Sequence, residues 1–307
     1  MTFLELAEKV LLEVKRPLSS SEIWRYAEEK LYTGELGSQG KTPWATLGAQ
    51  LHVSARDNEK SPFATIGSRP KKFYLKKLKY DKDLLVEEDL EVSGEVEDTM
   101  RYSERDLHAL LAHFIFYTME SYSKTLDHTK TSKKHYGEWI HPDMVACHFP
   151  IDDIKPEVYD LSMAINESPI GFISFEIKKK LSFGNLRESF FQAVSNSSWA
   201  HESYLVTSEI STETEFLREL NRLCNSFGIG VILLDIDDPN DSEIFIDAEQ
   251  RDELDWETIN KLAINPDFKD FLVRVKKDVE SREIRKEWYD KVESRESLIK
   301  FFEKKKG

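Results

Sequence analysis

Apolar residues recur at helical spacing from the start of the chain. Phe3, Leu6, Ala7, Val10, Leu11 and Val14 fall on one face of a 3.6-residue repeat behind Thr2, a good N-cap. Pro17 ends that predicted helix, and Ser19-Ser20-Ser21-Glu22 caps a second, which turns Ile23, Trp24, Ala27 and Leu31 inward. Beyond a glycine-bearing loop at 34–40, Thr42-Pro43 supplies a cap and a first-turn proline for a third helix over 43–55, with Leu47 and Leu51 as core positions. The period then drops to two. Phe63-Ala64-Thr65-Ile66 and Lys72-Phe73-Tyr74-Leu75, either side of Gly67-Ser68-Arg69-Pro70, predict a hairpin.

A second periodic region opens at Tyr102-Ser103-Glu104. The spacing predicts a helix to about residue 122 with Leu107, Leu110, Leu111, Phe114, Ile115 and Met119 inward, then a polar, lysine-bearing stretch at 124–135. Strands are predicted at 138–147, 158–165 and 170–178, a helix at 185–200, and strands at 203–207 and 229–235 around a helix at 214–227. Hairpins followed by alternating helix and strand give an α+β or mixed α/β sheet. Residues 251–307 read as charged helices anchored by Phe271, Val273, Val275, Trp288, Tyr289, Leu298 and Phe301, which either pack on that core or form a dimer contact.

A chain of 307 residues with 40% hydrophobic and 11% aromatic residues has material for about two cored domains. No apolar run approaches the roughly 20 residues of a membrane span, and the N-terminus lacks a signal-peptide layout. Cys147 and Cys224, the two cysteines, are too few for a disulfide framework or thiolate zinc site, so a reduced, cytoplasmic protein is expected. His108, His113, His128, His135, His141, His148 and His201 are too scattered for a zinc motif. No P-loop or G-x-G-x-x-G occurs, so no NTP partner is expected.

The net charge of -14 hides a marked asymmetry. Lys41, Arg56, Lys60, Arg69, Lys71, Lys72, Lys76, Lys77 and Lys79 make residues 41–79 basic, against Asp57 and Glu59. Asp81, Asp83, Glu87, Glu88, Asp89, Glu91, Glu95, Glu97 and Asp98 then face Lys82 alone. The expected organisation is a winged helix-turn-helix module over 1–79, an acidic linker over 80–100, an α/β core over 101–250 and a helical C-terminal extension over 251–307. The linker is either solvated or folded over the basic module as a DNA mimic.

Within the predicted strand at 170–178, alternation puts Phe172, Ser174, Glu176 and Lys178 on one face and Ile173, Phe175 and Ile177 on the other. An acid and a base are thereby presented side by side, as metal-dependent phosphodiester cleavage requires. With Asp143 upstream, behind Pro142, the pattern Asp143…Glu176-x-Lys178 resembles the PD-(D/E)xK nuclease superfamily, which includes many restriction endonucleases. That resemblance implies a restriction-endonuclease-like core and a type II-like endodeoxyribonuclease. It also implies Mg²⁺ held by Asp143, Glu176 and the Ile177 carbonyl, with Lys178 near the attacking water. The family's first-helix glutamate maps to Glu104 and its site-orienting glutamine to Gln192; Asp160 is the alternative to Asp143 as ligand.

The phrases Pro17-Leu18-Ser19 through Trp24, Lys41-Thr42-Pro43-Trp44-Ala45-Thr46-Leu47, and Phe73-Tyr74-Leu75 resemble the HARE-HTH family. They are also similar to the N-terminal domain of the RNA polymerase delta subunit. The likeness implies a DNA-contacting adaptor of a kind suspected of sensing base modification. In a winged helix the third helix enters the major groove, so Thr46 and Gln50 are candidates for base edges. Lys41, Arg56, Arg69, Lys71 and Lys72 suit phosphates of double-stranded DNA, and Trp44 either packs or stacks on the ligand. Cutting two strands needs two sites, hence a homodimer. The alternatives are a non-catalytic DNA-binding regulator or polymerase-associated factor, and a repair or RNA-directed nuclease of the same superfamily.

Overall fold

The computed structural model of the chain describes residues 1–37, 43–58, 60–66, 72–78, 102–130, 141–150, 154–165 and 170–306. The acidic linker expected at 80–100 lies outside them. The chain divides into two compact units: residues 1–102 with 235–243 and 295–307, and residues 103–234 with 244–294.

In the first unit, α1 (Phe3–Val14) starts on a capping box in which Thr2 Oγ1 accepts from Glu5 N–H (3.2 Å) and Glu5 Oε2 from Thr2 N–H (2.8 Å). Lys15, left-handed at φ 53, ends it two residues before Pro17. A second box, Ser19 with Glu22, starts α2 (Ser20–Glu29). That helix stops short of Leu31, which is left-handed and exposed rather than inward. Next come α3 (Pro43–Asp57), β1 (Phe63–Ile66) and β2 (Lys72–Leu75), the strands pairing antiparallel from Phe63↔Leu75 to Ile66↔Lys72. Leu18 and Phe73 exchange backbone bonds of 3.0 and 2.7 Å, tying the α1–α2 loop to the hairpin. Leu6, Val10, Leu11, Ile23, Leu47, Leu51, Phe63 and Phe73 are buried together, with Trp44 packed against them. Three helices and a bridged hairpin around one core make a winged helix.

The second unit opens with α4 (Glu104–Tyr117), capped by Ser103 and Asp106. Then follow β3 (Ser121–Thr125), β4 (Met144–His148), α5 (Pro156–Ala164), β5 (Gly171–Leu181), α6 (Leu186–Ser195), β6 (Glu202–Ile210), α7 (Thr214–Phe227), β7 (Gly230–Leu233) and β8 (Glu243–Ile246). The described strands form one sheet in the order β3-β4-β5-β6-β7-β8; β3, β4 and β5 are antiparallel, whereas β5, β6 and β7 are parallel. Phe190, Leu205, Phe216, Leu220 and Val231 pack α6 and α7 on the sheet. Val145, Phe172, Trp199, Phe268, Phe271 and Tyr289 form a second layer with α8 (Trp256–Leu262) and α9 (Pro266–Ser281).

Several expected elements differ: the helix expected at 185–200 ends at Ser195, and the described part of the strand expected at 138–147 begins at Met144, so Asp143 precedes it. Residues 158–164 form most of α5, with Ile165 as its C-cap, and not a strand, because Pro156 takes the first helical turn and fixes φ there; only Tyr159 of that helix is buried. The first helix ends at Tyr117, and Glu120 at φ 48 turns the chain into β3. Its inward Ser121 and Ser123 are polar, so the strand leaves no apolar alternation to read.

The 251–307 stretch is shared between the units. The last helix, α10 (Arg295–Lys306), belongs to the first unit, with Leu298 and Phe302 buried and Phe302 edge-on to Tyr102 at 5.8 Å. In that unit Arg295 grips Asp238 with two bonds of 2.7 and 2.5 Å. Of the anchors expected from the sequence, Phe271, Val275, Tyr289 and Leu298 are buried, while Val273, Trp288 and Phe301 are exposed.

Candidate active site

Strand β5 is the platform. Antiparallel pairing of Met144 with Phe175 brings Asp143, one residue before β4, alongside Ile177. Pro142 has no N–H to extend the ladder, so the chain leaves the sheet there and Asp143 is free to turn its carboxylate onto β5. Asp143 Oδ2 accepts from Ile177 N–H at 2.7 Å, and its own carbonyl accepts from Leu126 N–H at 3.0 Å. Glu176, only 7% exposed, is held at both oxygens: Lys178 Nζ donates to Oε1 at 2.8 Å and Asn196 Nδ2 to Oε2 at 3.2 Å. Glu104 at the start of α4 accepts from Lys179 N–H at 3.4 Å. His128, on a single 3-10 turn, contacts Asp143 Oδ1 through Nε2 at 3.1 Å.

The electrostatics separate two neighbouring carboxyls. Burial and the charge of Asp143 push Glu176 above the usual carboxylate range, against the pull of Lys178 and Asn196. Burial acts on Asp143 in the same sense, but bonds from His128 and the Ile177 N–H, with the charge on Lys178, hold it below that range. Lys178 also resists burial: Glu176 and Asp143 keep it above an ordinary lysine. The bond to Asp143 raises His128 in spite of desolvation. Carboxyls with divided acidities beside a held ammonium are features of functional sites and of structural ion-pair networks alike.

Among the described residues no three His, Cys, Asp or Glu side chains stand as a ready-made metal cage. A hard cation such as Mg²⁺ does not need one, since it uses one or two carboxylates together with waters and substrate phosphate. The oxygen-rich pair Asp143 and Glu176, tied through Ile177, fits that requirement.

The structure thus brings Asp143, Glu176, Ile177, Lys178 and Glu104 together. Asp160, the alternative ligand, lies exposed on α5 and pairs with Arg282, so it is not part of this cluster. Gln192 is half-buried on α6 and its Oε1 has no partner among the described residues; the side chain on Glu176 is instead Asn196, one turn later. Sequence reasoning missed Asn196 and His128. The i, i+4 spacing from Gln192 to Asn196 was a usable signal, whereas nothing in the spacing of His128 ties it to Asp143.

In the winged helix, Thr46 is half-buried and Gln50 exposed on α3, and Lys72 opens β2. Lys41, Arg69 and Lys71 lie outside the described residues, as does the side chain of Arg56 in α3. Among the described residues no helix is long and apolar enough to cross a membrane. No curated protein and no solved structure matches the chain. Residues 1–74 match the HARE-HTH family, a helix-turn-helix domain described for ASXL proteins and restriction endonucleases. The N-terminal segment therefore reads as a HARE-HTH winged helix, and that likeness points to DNA binding.

Proposed function

We propose that the chain is a Mg²⁺-dependent, restriction-type endodeoxyribonuclease whose winged helix selects the target, including targets defined by a modified base. The observation that carries this reading is the convergence of Asp143, Glu176 and Lys178 on one stretch of β5, through the Asp143–Ile177 and Glu176–Lys178 bonds. Asp143, Glu176 and the Ile177 carbonyl would hold the ion. When bound, the ion supplies Lewis acidity at the scissile phosphate and a more acidic water. Lys178 offers ammonium donors to the non-bridging phosphate oxygens and to the attacking water. Glu104 steadies the end of β5 through the Lys179 N–H. Thr46 and Gln50 address base edges, and Lys41, Arg56, Arg69, Lys71 and Lys72 the phosphates. Cutting both strands calls for a homodimer, assembled free or on DNA; sedimentation showing a monomer in both conditions removes that part.

The test is incubation of matched modified and unmodified genomic DNA with Mg²⁺, followed by sequencing of the ends. Defined ends are expected. Glu176→Gln and Lys178→Met should each slow cutting by about 100-fold or more while leaving DNA retention on filters unchanged. Equal cutting by parent and variants would remove the assignment. The match to a DNA-binding domain favours a second reading, a regulator that binds without cutting; tight retention with intact DNA of every modification status would select it. Duplex, branched and single-stranded DNA and RNA, run in parallel, separate a restriction nuclease from a repair or RNA-directed one. Replacing Lys71 and Lys72 by Ala should weaken retention and lower the slope of log K against log salt by about 1.8.

A further inference from the structure

We propose that Asn196 is a positioning residue of this site: its amide nitrogen fixes Glu176, and its amide oxygen accepts a hydrogen bond from water carried by a divalent cation. The inference rests on the metal-dependent reading above and assigns its outer partners.

Asn196 follows directly on α6, with its backbone N–H on the Gln192 carbonyl at 3.1 Å, and is 5% exposed. With Lys178 donating to Oε1, Glu176 accepts at Oε2 from the Asn196 NH₂ group at 3.2 Å. The orientation of the amide is thereby set, and Oδ1 is left as a buried acceptor with no donor among the described residues. Gln192, one turn earlier on the same helical face, carries a second such acceptor in Oε1. A buried carbonyl oxygen without a donor is costly, and two on one helical face, one of them on the residue that holds Glu176, call for a ligand that supplies hydrogens.

The chemistry narrows that ligand. Phosphate oxygens carry no hydrogen to give. Lys178 gives one of its three donors to Glu176 Oε1 at 2.8 Å and, in the reading above, keeps the others for phosphate and the attacking water. Hard divalent cations retain several waters, each with two protons to donate, and outer-sphere acceptors that take those protons orient the inner ligands. Glu176, held at one oxygen by Lys178 and at the other by Asn196, presents a fixed carboxylate to such an ion.

Mn²⁺ binding to the full chain, followed by electron paramagnetic resonance without DNA, tests this directly. Asn196→Ala should weaken Mn²⁺ binding by about 10- to 100-fold. Gln192→Met, which keeps shape but loses the acceptor, should weaken it several-fold, and Gln192→Glu, which restores an acceptor, should recover it. Should Asn196→Ala fail to fold, the two Gln192 variants still decide. Asp143→Asn and Glu176→Gln run alongside. Loss at Asp143 and Glu176, with Asn196→Ala and Gln192→Met within about twofold of the parent, overturns this inference and leaves the nuclease reading intact. Unchanged binding in Asp143→Asn and Glu176→Gln, or no binding by the parent, overturns the metal site and this inference with it.

Discussion

The carboxylate of Asp241 accepts from Ser20 Oγ (3.3 Å), Ser21 Oγ (3.0 Å) and Ser21 N–H (3.4 Å) at the start of α2. Burial, with the charges of Asp238 and Asp235, nevertheless pushes its pKa up to about 7. A carboxyl raised in the folded state contributes stability that is complete below its unfolded pKa of 3.8 and is lost as pH rises through about 7. Asp241→Asn keeps the acceptor without the charge. Relative to the parent it should be more stable at pH 8, by some fraction of the roughly 4 kcal/mol that three pKa units represent, and should lose that advantage by pH 4. Denaturant midpoints at the two pH values check this; a difference that does not vary with pH would contradict it. A second buried carboxylate, Asp278, pairs with Arg274 and accepts from Tyr289 Oη at 2.7 Å. Asp278→Ala leaves Arg274 buried and unpaired, and should cost about 3–5 kcal/mol by the same assay. At this scale the sequence was most legible where residues are neighbours: Glu176 and Lys178 share a strand face two residues apart. Asn196, 20 positions from Glu176, was signalled only by its i, i+4 spacing from Gln192, and no local pattern encodes the meeting of His128 with Asp143 across 15 positions.

Elements were readable in proportion to how much of their stabilisation is local. The β1–β2 hairpin and α7 have the residue limits that their periodicity and flanking turns predict. Capping carries part of this: Ser19→Ala should destabilise α2 and the winged helix by about 1 kcal/mol in thermal unfolding. Strand β3 was not readable, because Ser123 and Thr125 are satisfied by Asp290, more than 160 positions away, at 3.4 and 2.9 Å. The apolar content of α5 misled for the opposite reason, since Val158, Leu161 and Met163 are exposed. Close approach also fixes single positions within elements. At Gly230 a Cβ would stand 2.5 Å from the Tyr204 ring and 2.7 Å from the Ala248 nitrogen. Gly230→Ala should therefore cost at least about 1–3 kcal/mol, seen as a lowered unfolding midpoint, whereas Gly34→Ala, with nothing within 4 Å, serves as its control.

For the whole molecule, sequence order and spatial partition disagree. The basic N-terminal module was legible as a winged helix, but its unit also takes in residues 235–243 and 295–307. No composition shift marks those additions; they are fixed by Arg295 on Asp238 and by Phe302 against Tyr102. Removing residues 295–307 strips out the buried Leu298 and Phe302, so amide hydrogen exchange should accelerate in 1–75 far more than in the strands β5 and β6. Comparable acceleration in both would show that the C-terminal helix supports the molecule generally. A discontinuous unit also has a history. During synthesis at about 5–20 residues per second, the opening segment of this unit must wait until residues 295–307 are translated before α10 can join it. The intervening sheet can meanwhile assemble from residues already outside the ribosome. The winged helix would then mature after the sheet that carries the candidate site, so a nascent chain holds that site before its N-terminal module is complete.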